Sequence, residues 1–211
     1  KIIKIAKKNK IAVIEDCSQA HGAKIKNRPV GTFGDLSTFS FYPTKNVSAL
    51  GDGGIILTNN RTLERKIRRY RQYGWDNNRN TNHPGINSRL DEVQAAILNI
   101  KLKNFLKYKK KRIDIAKTYL MKIKNKNITL PKIRNQTTHA FHIFAVIVKN
   151  RKKFIEYLNH NGVYPGIHYT KLAHENFGYT EYCKFRMKDL IHCRKIKLNE
   201  VSLPIYPELS K

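Results

Sequence analysis

The pattern of apolar and polar residues predicts a helix followed by strands at the start of the chain. Residues 1–10 place apolar side chains on one face and lysines on the other, which is helix spacing. Residues 11–14 are continuously apolar and predict a buried parallel strand. Residues 36–42 and 55–58 also have strand character. This order of a helix followed by strands indicates an α/β layer.

The remaining pattern predicts a long helix and a small β-α-β unit. An asparagine at 59 or 60 is expected to cap a helix that closes at Gly74. Ser88 with Asp91 resembles a helix-start box, and the helix is expected to run to Ile123 with Leu90, Val93, Ile97 and Ile100 on its buried face. The further predicted segments are a strand at 141–148, a helix at 152–161, an extended stretch at 163–169, a helix within 186–199 and an extended tail at 203–207.

The chain carries an excess of positive charge. Its 211 residues include 42 lysines and arginines but only 15 acidic residues, for a formal net charge of +27. The excess indicates either a lysine-rich solvated surface or attraction to an anionic partner such as a nucleotide, a nucleic acid or a membrane. We favour the solvated surface, also for the basic run at 107–112, and expect neither a nucleic acid nor a membrane as partner. No apolar stretch approaches the roughly 20 residues of a membrane helix.

The cysteines indicate a reducing compartment. Cys17, Cys183 and Cys193 form no CxxC pair and no zinc-binding spacing. An odd number of cysteines without a signal peptide is typical of a cytoplasmic protein with reduced thiols. We therefore predict a cytoplasmic protein without a metal site.

Residues 11–59 hold the candidate chemistry. Asp16 follows the first apolar run, Ser40 lies in the second predicted strand, and Lys45 follows that strand directly, ahead of a glycine cluster. A lysine can form an imine with an aldehyde, a carboxylate can hold a protonated heterocyclic nitrogen, and a hydroxyl can bind phosphate. The first two are the anchors that pyridoxal phosphate requires. Taken singly, Lys45 could be an ordinary solvent-exposed lysine, and Asp16 could be a turn or cap residue.

Six segments carry a resemblance to a known family. They are VIEDCSQAHGA (13–23), VGTFGD (30–35), FSFYPTKN (39–46), GDGG (51–54), GINSRLDEVQAAIL (85–98) and LPIYPEL (203–209). With them the chain resembles the sugar-nucleotide aminotransferases of the DegT/DnrJ/EryC1/StrS family, which are pyridoxal-phosphate enzymes of fold type I. The sequences of residues 71–75 and 85–92 look most like those of the family branch that aminates the 3-keto group of dTDP-linked 6-deoxyhexoses.

The resemblance implies a role for each matching residue. Asp16 falls where the family's aspartate pairs with the pyridine nitrogen, and Gln19 where a glutamine lies near the phenolic oxygen. Ser40 matches the phosphate-binding serine, and Lys45 the lysine that binds the cofactor covalently. Asn87 matches an asparagine that reaches the phosphate in the neighbouring subunit, which implies a homodimer with shared active sites.

The resemblance also implies a reaction. Lys45 would act as base and then acid while an amino group passes from an amino-acid donor, glutamate in this family, to a nucleotide-linked keto-sugar. Relatives that perform dehydration carry histidine in place of the lysine, so Lys45 indicates transamination, for amino-sugar or surface-polysaccharide biosynthesis. His168 and Tyr169 would line the sugar pocket. For His21 and His142 we favour packing or loop hydrogen bonds over catalysis.

The resemblance begins in the middle of a domain. Residues 1–100 are expected to be the C-terminal part of the large cofactor-binding domain, and residues 101–211 a long linking helix and a small C-terminal α/β domain. Family members are longer, so we expect an N-terminally truncated chain that is inactive alone. The rival interpretation is a non-enzymatic remnant or a basic binding module.

Overall fold

The computed structural model describes residues 1–176, 178 and 190–210, which fall into two units. Unit 1 comprises Lys1–Lys110 and Arg134–His142, and unit 2 comprises Lys111–Ile133 and Ile143–Lys211. The division lies inside the long helix after Lys110, whereas the sequence placed a boundary at residue 100. Cys183 and the first residues of the helix predicted within 186–199 lie outside the described residues.

Both units contain helices and strands. Unit 1 contains helices α1 (Ile2–Lys8), α2 (Arg61–Tyr70) and the first part of α3 (Glu92–Lys122), and strands β1 (Ile14–Asp16), β2 (Lys24–Ile25), β3 (Arg28–Pro29), β4 (Leu36–Ser40), β5 (Gly54–Leu57) and β7 (Thr137–Thr138). Unit 2 contains the rest of α3, helices α4 (Arg151–His160) and α5 (Ile191–Asn199), a 3₁₀ turn (Ala173–Glu175), and strands β6 (Ile128–Thr129), β8 (Phe144–Val148) and β9 (Glu200–Leu203).

The main sheet of unit 1 has the strand order β1-β4-β5. The pair β1 and β4 is parallel, as predicted, with Asp16 opposite Thr38. The pair β4 and β5 is antiparallel, with Ser40 opposite Gly54. Because parallel strands end at the same edge of a sheet, the last residues of β1 and β4 lie at one edge.

The predicted burial of β1 is wrong. Ile11 and Ile14 are 61% and 64% exposed. β1 pairs only with β4 among the described residues, which makes it an edge strand, and the face of the strand that carries Ile14 is also open to solvent. Residues 11–13 precede the strand, and Glu15 and Asp16 belong to it rather than following it.

The prediction for α3 is partly wrong. The helix begins at Glu92 rather than Ser88, and the N–H of Ala95 donates to the carbonyl of Asp91, so Asp91 directly precedes the first turn. The residue buried on this part of the helix is Leu98, which packs with Phe41, Val47 and Ala49. Val93 and Ile100, on the predicted buried face, are 69% and 64% exposed.

Two residues of the basic run at 107–112 are partly or fully buried, contrary to the expectation of a solvated face. The Nζ of Lys109 donates to the carbonyl oxygen of Gly22 within unit 1. In unit 2, Arg112 is 8% exposed and donates from Nη1 to the carbonyl oxygen of Ile205 at 2.8 Å. These two cations therefore act as internal hydrogen-bond donors.

Unit 2 is built on an antiparallel sheet with the order β6-β8-β9. The predicted helix at 152–161 is confirmed as α4, which Asn150 caps by accepting from the N–H of Lys153. The expected tail at 203–207 is preceded by β9, whose four residues are all buried against β8. The extended stretch at 163–169 forms one bridge, between Gly166 and Ser202. No helix in the part of the chain that the structure describes is long and apolar enough to cross a membrane.

Candidate active site

The carboxyl-end edge of the main sheet brings together three of the predicted site residues. Asp16 ends β1, Ser40 ends β4, and Lys45 follows in the next turn. The backbone N–H of Lys45 donates to the carbonyl of Tyr42 at 2.9 Å, and Oγ of Ser40 accepts from the N–H of Tyr42 at 3.2 Å. Open α/β sheets bind ligands at this edge.

Asp16 is an exposed carboxylate held by its neighbour Ser18. It accepts hydrogen bonds from Oγ of Ser18 at 2.6 Å and from its N–H at 3.0 Å. These bonds lower the pKa of Asp16, burial opposes them, and the positive charge of Lys45 makes the smallest contribution to lowering it. Asp16 is therefore ionised at neutral pH, as a group that pairs with a protonated ring nitrogen must be.

Glu15, the neighbour of Asp16, has a structural role that the sequence did not reveal. Its carboxylate accepts the backbone N–H groups of Gly31, Phe33 and Gly34 at 2.9, 2.6 and 2.7 Å. Consecutive side chains of a strand point to opposite faces. Of the two acids, Glu15 therefore fastens the loop after β3, and Asp16 is left for a ligand.

The side chain of Lys45 is half-buried and makes no hydrogen bond or ion pair with the residues described here. Buried neighbours and hydrogen bonds support the turn that carries it. Val47 and Ala49 are 2% and 1% exposed, and α3 holds the turn from the side. The supporting contacts are the bond from Nζ of Lys101 to Oγ of Ser48 (2.8 Å) and that from the N–H of Leu50 to Oε1 of Gln94 (2.8 Å). These supporting residues carry no signal in the sequence, because they lie about 50 positions away.

His21 is a buried imidazole beside the same turn. It is 6% exposed, and its ring centroid lies 5.4 Å from that of Phe39 and 6.1 Å from that of Phe41. Neither ring nitrogen has a hydrogen-bond partner of normal geometry among the described residues. Burial and then the charge of Lys45 lower the pKa of His21 to about 4, against an opposing backbone interaction with Ser40. His21 is thus neutral and packed, whereas Nδ1 of His142 lies 3.3 Å from Oδ1 of Asn46.

Gln19 and Asn87 lie at the surface of unit 1. Both are exposed. Asn87 pairs with Gln72 in an isolated bridge, and its Oδ1 accepts from Nε of Arg89 at 3.0 Å. Asn87 lines an open cavity of about 1100 Å³ next to β5 and α2. No hydrogen bond between described residues links it to Asp16 or Lys45.

His168 and Tyr169 belong to unit 2. Nδ1 of His168 lies 2.8 Å from Oγ of Ser202, and its backbone N–H donates to Oε2 of Glu200 at 2.8 Å. The rings of His168 and Tyr169 meet edge to face at 5.2 Å. Tyr169 is 65% exposed.

The sequence is similar to those of proteins of known family. The model of the DegT/DnrJ/EryC1/StrS aminotransferase family matches residues 1–211. A protein from Aneurinibacillus thermoaerophilus, named dTDP-3-amino-3,6-dideoxy-alpha-D-galactopyranose transaminase, is 43% identical over 209 residues, which cover 98% of this chain and 56% of that protein. The chain thus spans little more than half the length of this relative.

Two solved structures share the fold. DesV of S. venezuelae, in complex with a ketimine intermediate, superimposes with a TM-score of 0.94 at 31% identity, covering 100% of this chain and 57% of its own. NtdA of Bacillus subtilis, with bound cofactor PMP, gives a TM-score of 0.86 at 28% identity, covering 99% of this chain and 49% of its own. The predicted fold class, the α/β fold of these pyridoxal-phosphate transferases, is confirmed.

Proposed function

Because the chain belongs to the DegT/DnrJ/EryC1/StrS aminotransferase family, we propose that it forms part of a pyridoxal-phosphate-dependent aminotransferase acting on a nucleotide-linked keto-sugar. The observation that carries the proposal is the meeting of Asp16, Ser40 and Lys45 at one sheet edge, with the charge of Lys45 acting on Asp16. The relative from A. thermoaerophilus, named a dTDP-3-amino-3,6-dideoxy-galactopyranose transaminase, supports a dTDP-linked 3-keto-6-deoxyhexose as substrate.

The donor set of the site suits pyridoxal phosphate. Asp16 is ionised and exposed, so its carboxylate can hold the protonated ring nitrogen. The hydroxyl of Ser40 can bind the phosphate, and Gln19 can donate to the phenolic oxygen. When bound, pyridoxal phosphate supplies an electron sink that makes the transfer of an amino group between two carbon atoms feasible.

Lys45 has two tasks in this proposal. Its Nζ would hold the cofactor aldehyde covalently, which requires a side chain that is not committed to an ion pair. Once freed by the amino donor, which we propose to be glutamate, the same Nζ would act as the base towards the donor's α-proton and then as the acid that gives this proton back. The lowered pKa of the buried His21, about 4, makes its imidazole a weaker base than an ordinary histidine, so we propose Lys45 as the proton carrier.

The remaining predicted residues extend the proposal to partners and domains. We propose that Asn87, exposed at the surface of unit 1, reaches the phosphate in a second copy of the chain and so makes the protein a homodimer. His168 and Tyr169 would contact the sugar. Residues 1–100 would be the C-terminal part of the cofactor-binding domain, and residues 101–211 the linking helix and small domain. Cys17 and Cys193 are free thiols, which agrees with the proposed cytoplasmic location.

Chemical labelling tests the role of Lys45. The purified chain is incubated with pyridoxal phosphate, reduced with borohydride and mapped by mass spectrometry. We expect Lys45 to be modified at concentrations at which the exposed Lys103 is not, together with an absorption band near the edge of the visible range. Lys45→Ala should remove the band and Lys103→Ala should keep it.

The opposite outcomes are equally specific. Equal modification of both lysines, or a band that persists in Lys45→Ala, would contradict the proposed anchor. Strong binding to nucleic acid that weakens steeply with salt would favour a basic binding module instead. Two cations of the 107–112 run are engaged within the protein, which leaves fewer for such a surface.

A further inference from the structure

Three side chains of unit 2 form a hydrogen-bonded chain that ends at the surface. Oε1 of Glu200 lies 2.5 Å from Oγ of Ser202, and the same Oγ lies 2.8 Å from Nδ1 of His168. Glu200 and Ser202 are 4% and 5% exposed, whereas His168 is exposed. These hydrogen bonds therefore connect the buried carboxylate of Glu200 to the imidazole of His168, which reaches solvent.

Backbone hydrogen bonds around these three side chains fix their geometry. Gly166 and Ser202 exchange two backbone hydrogen bonds of 2.9 Å each, which fixes Ser202 opposite the segment that carries His168. The second oxygen of Glu200, Oε2, accepts the backbone N–H of His168 at 2.8 Å. A Cβ added to Gly166 would lie only 3.1 Å from Cε1 of His168, so the imidazole packs closely over this glycine.

The positions of the protons follow from the donors that are available. A serine hydroxyl has one proton, and an ionised carboxylate can only accept. The separation of 2.5 Å between Ser202 and Glu200 is typical of a hydroxyl that donates to a carboxylate. No ion pair reaches Glu200 from the residues that the structure describes. The hydroxyl of Ser202 and the N–H of His168 are thus the donors that stabilise this buried charge.

If the hydroxyl donates to Glu200, Oγ of Ser202 must accept from Nδ1 of His168. The neutral imidazole then carries its proton on Nδ1, and Nε2 has a lone pair. No hydrogen bond occupies Nε2 among the described residues. In the reverse arrangement the hydroxyl would donate to Nδ1, and Glu200 would have to supply the proton of its contact with Ser202, although its carboxylate already accepts the backbone N–H of His168.

We infer that Glu200 and Ser202 are positioning residues that hold neutral His168 with its proton on Nδ1, so that Nε2 accepts a hydrogen bond from a hydroxyl group of the bound sugar. The part that concerns the sugar rests on the proposed function. The part that concerns the proton rests only on the contacts within unit 2. A lone-pair acceptor beside the exposed ring of Tyr169 suits a pyranose, which offers hydroxyl donors and an apolar face.

Nitrogen NMR of the histidine side chains tests the proton position directly. In the ¹⁵N-labelled chain at pH 8, long-range ¹H–¹⁵N correlations distinguish a protonated ring nitrogen from an unprotonated one. We expect His168 to be protonated on Nδ1. Glu200→Gln should move the proton to Nε2, because the new amide donates to Oγ of Ser202 and turns the hydroxyl towards Nδ1.

Variants at Ser202 separate positioning from folding. Ser202→Thr keeps the hydroxyl and should keep the proton of His168 on Nδ1. Ser202→Ala removes the acceptor, so the proton should no longer be held on Nδ1. The exposed His160 is the internal control, and its signals should be the same in all variants. A proton on Nε2 in the unsubstituted chain, or a proton position that neither Glu200→Gln nor Ser202→Ala changes, would overturn the inference.

A second measurement tests the ligand. Addition of dTDP-glucose to saturation, followed through the backbone amides, should shift the Nε2 resonance of His168 and not that of His160. Saturation without a shift at Nε2 would overturn the acceptor role. Neither measurement uses pyridoxal phosphate or Lys45, so failure here and failure of the proposed aminotransferase chemistry are distinguishable.

Discussion

The side-chain amide of Asn46 donates a 2.9 Å hydrogen bond to the carbonyl oxygen of Ala140, 94 residues further along the chain. Ala140 is 2% exposed, so no bulk water is available to replace this donor. Asn46 directly follows Lys45, the proposed cofactor anchor. The bond therefore ties the turn that carries the lysine to the segment Arg134–His142, which returns to unit 1.

Asn46→Ala is expected to destabilise the chain. The substitution leaves the carbonyl of Ala140 buried without its donor, and an unpaired buried polar group costs about 1–3 kcal/mol. The free energy of unfolding, measured by urea denaturation with circular dichroism, should fall by that amount. Asn77→Ala, at an exposed loop position, should change it by less than about 0.5 kcal/mol. Equal losses in both variants would show that the bond to Ala140 is not a stabilising contact.

Glu15→Gln is expected to loosen the loop after β3. Glu15 accepts hydrogen bonds from three backbone N–H groups. In the glutamine variant an amide NH2 group, which is itself a donor, would replace one of the accepting oxygens. Hydrogen bonds to charged groups contribute about 1.5–3 kcal/mol each, so we expect a loss of at least about 2 kcal/mol in the free energy of unfolding.

The matched control for Glu15 is Glu156→Gln. Glu156 lies 4.0 Å from Lys152 in an ion pair whose side chains are 60% and 88% exposed, and such pairs contribute less than about 1 kcal/mol. Hydrogen exchange should locate the difference. Faster exchange of the Phe33 and Gly34 amides in Glu15→Gln, and not in Glu156→Gln, is the expected result, and unchanged exchange would refute the role of Glu15.

Local signals in the sequence were sufficient for most of the helices and strands. Asn60 caps α2 through its side chain, as the sequence predicted, and the apolar alternation of residues 36–42 appears as β4. The segment at 39–46 also placed Ser40 and Lys45 together, because the few residues between them form a single turn. Such features are set by neighbours in the chain, which is why a single sequence reveals them.

Features that depend on distant partners could not be predicted. The apolar run that leads into β1 looks buried, yet the face of the strand that carries Ile14 is open to solvent. The roles of Gln94 and Lys101 depend on contacts with residues 44 and 53 positions away. Hydrophobic periodicity shows that a helix has an apolar face, but not which part of that face is covered.

The buried His21 makes a pH-dependent contribution to stability. Its pKa is lowered to about 4 from 6.5 in the folded chain, so the unfolded chain binds this proton more readily. The stabilising effect is fully present above pH 6.5 and is lost as the pH falls towards 4. The gap between the two pKa values corresponds to about 3 kcal/mol.

His21→Phe tests this contribution. The loss in the free energy of unfolding between pH 7 and pH 4 should be smaller in this variant than in the unsubstituted chain by up to about 3 kcal/mol. Asp16, whose pKa is also lowered, adds to the loss in both proteins and cancels in the difference. His160→Phe, at the exposed end of α4, should leave the pH dependence unchanged. An identical pH dependence in His21→Phe and the unsubstituted chain would contradict the assignment.

The basic run at 107–112 offers two adjacent cations that should respond differently to the same substitution. Arg112 is 8% exposed, and burial lowers its pKa while Glu208 raises it. Its Nη1 supplies the donor for the carbonyl of the buried Ile205, so Arg112→Met should lower the free energy of unfolding by about 1–3 kcal/mol. Lys111→Met, one position earlier and exposed, should change it by less than about 0.5 kcal/mol. Equal effects in urea denaturation would mean that both cations are solvated, as the charge pattern alone predicts.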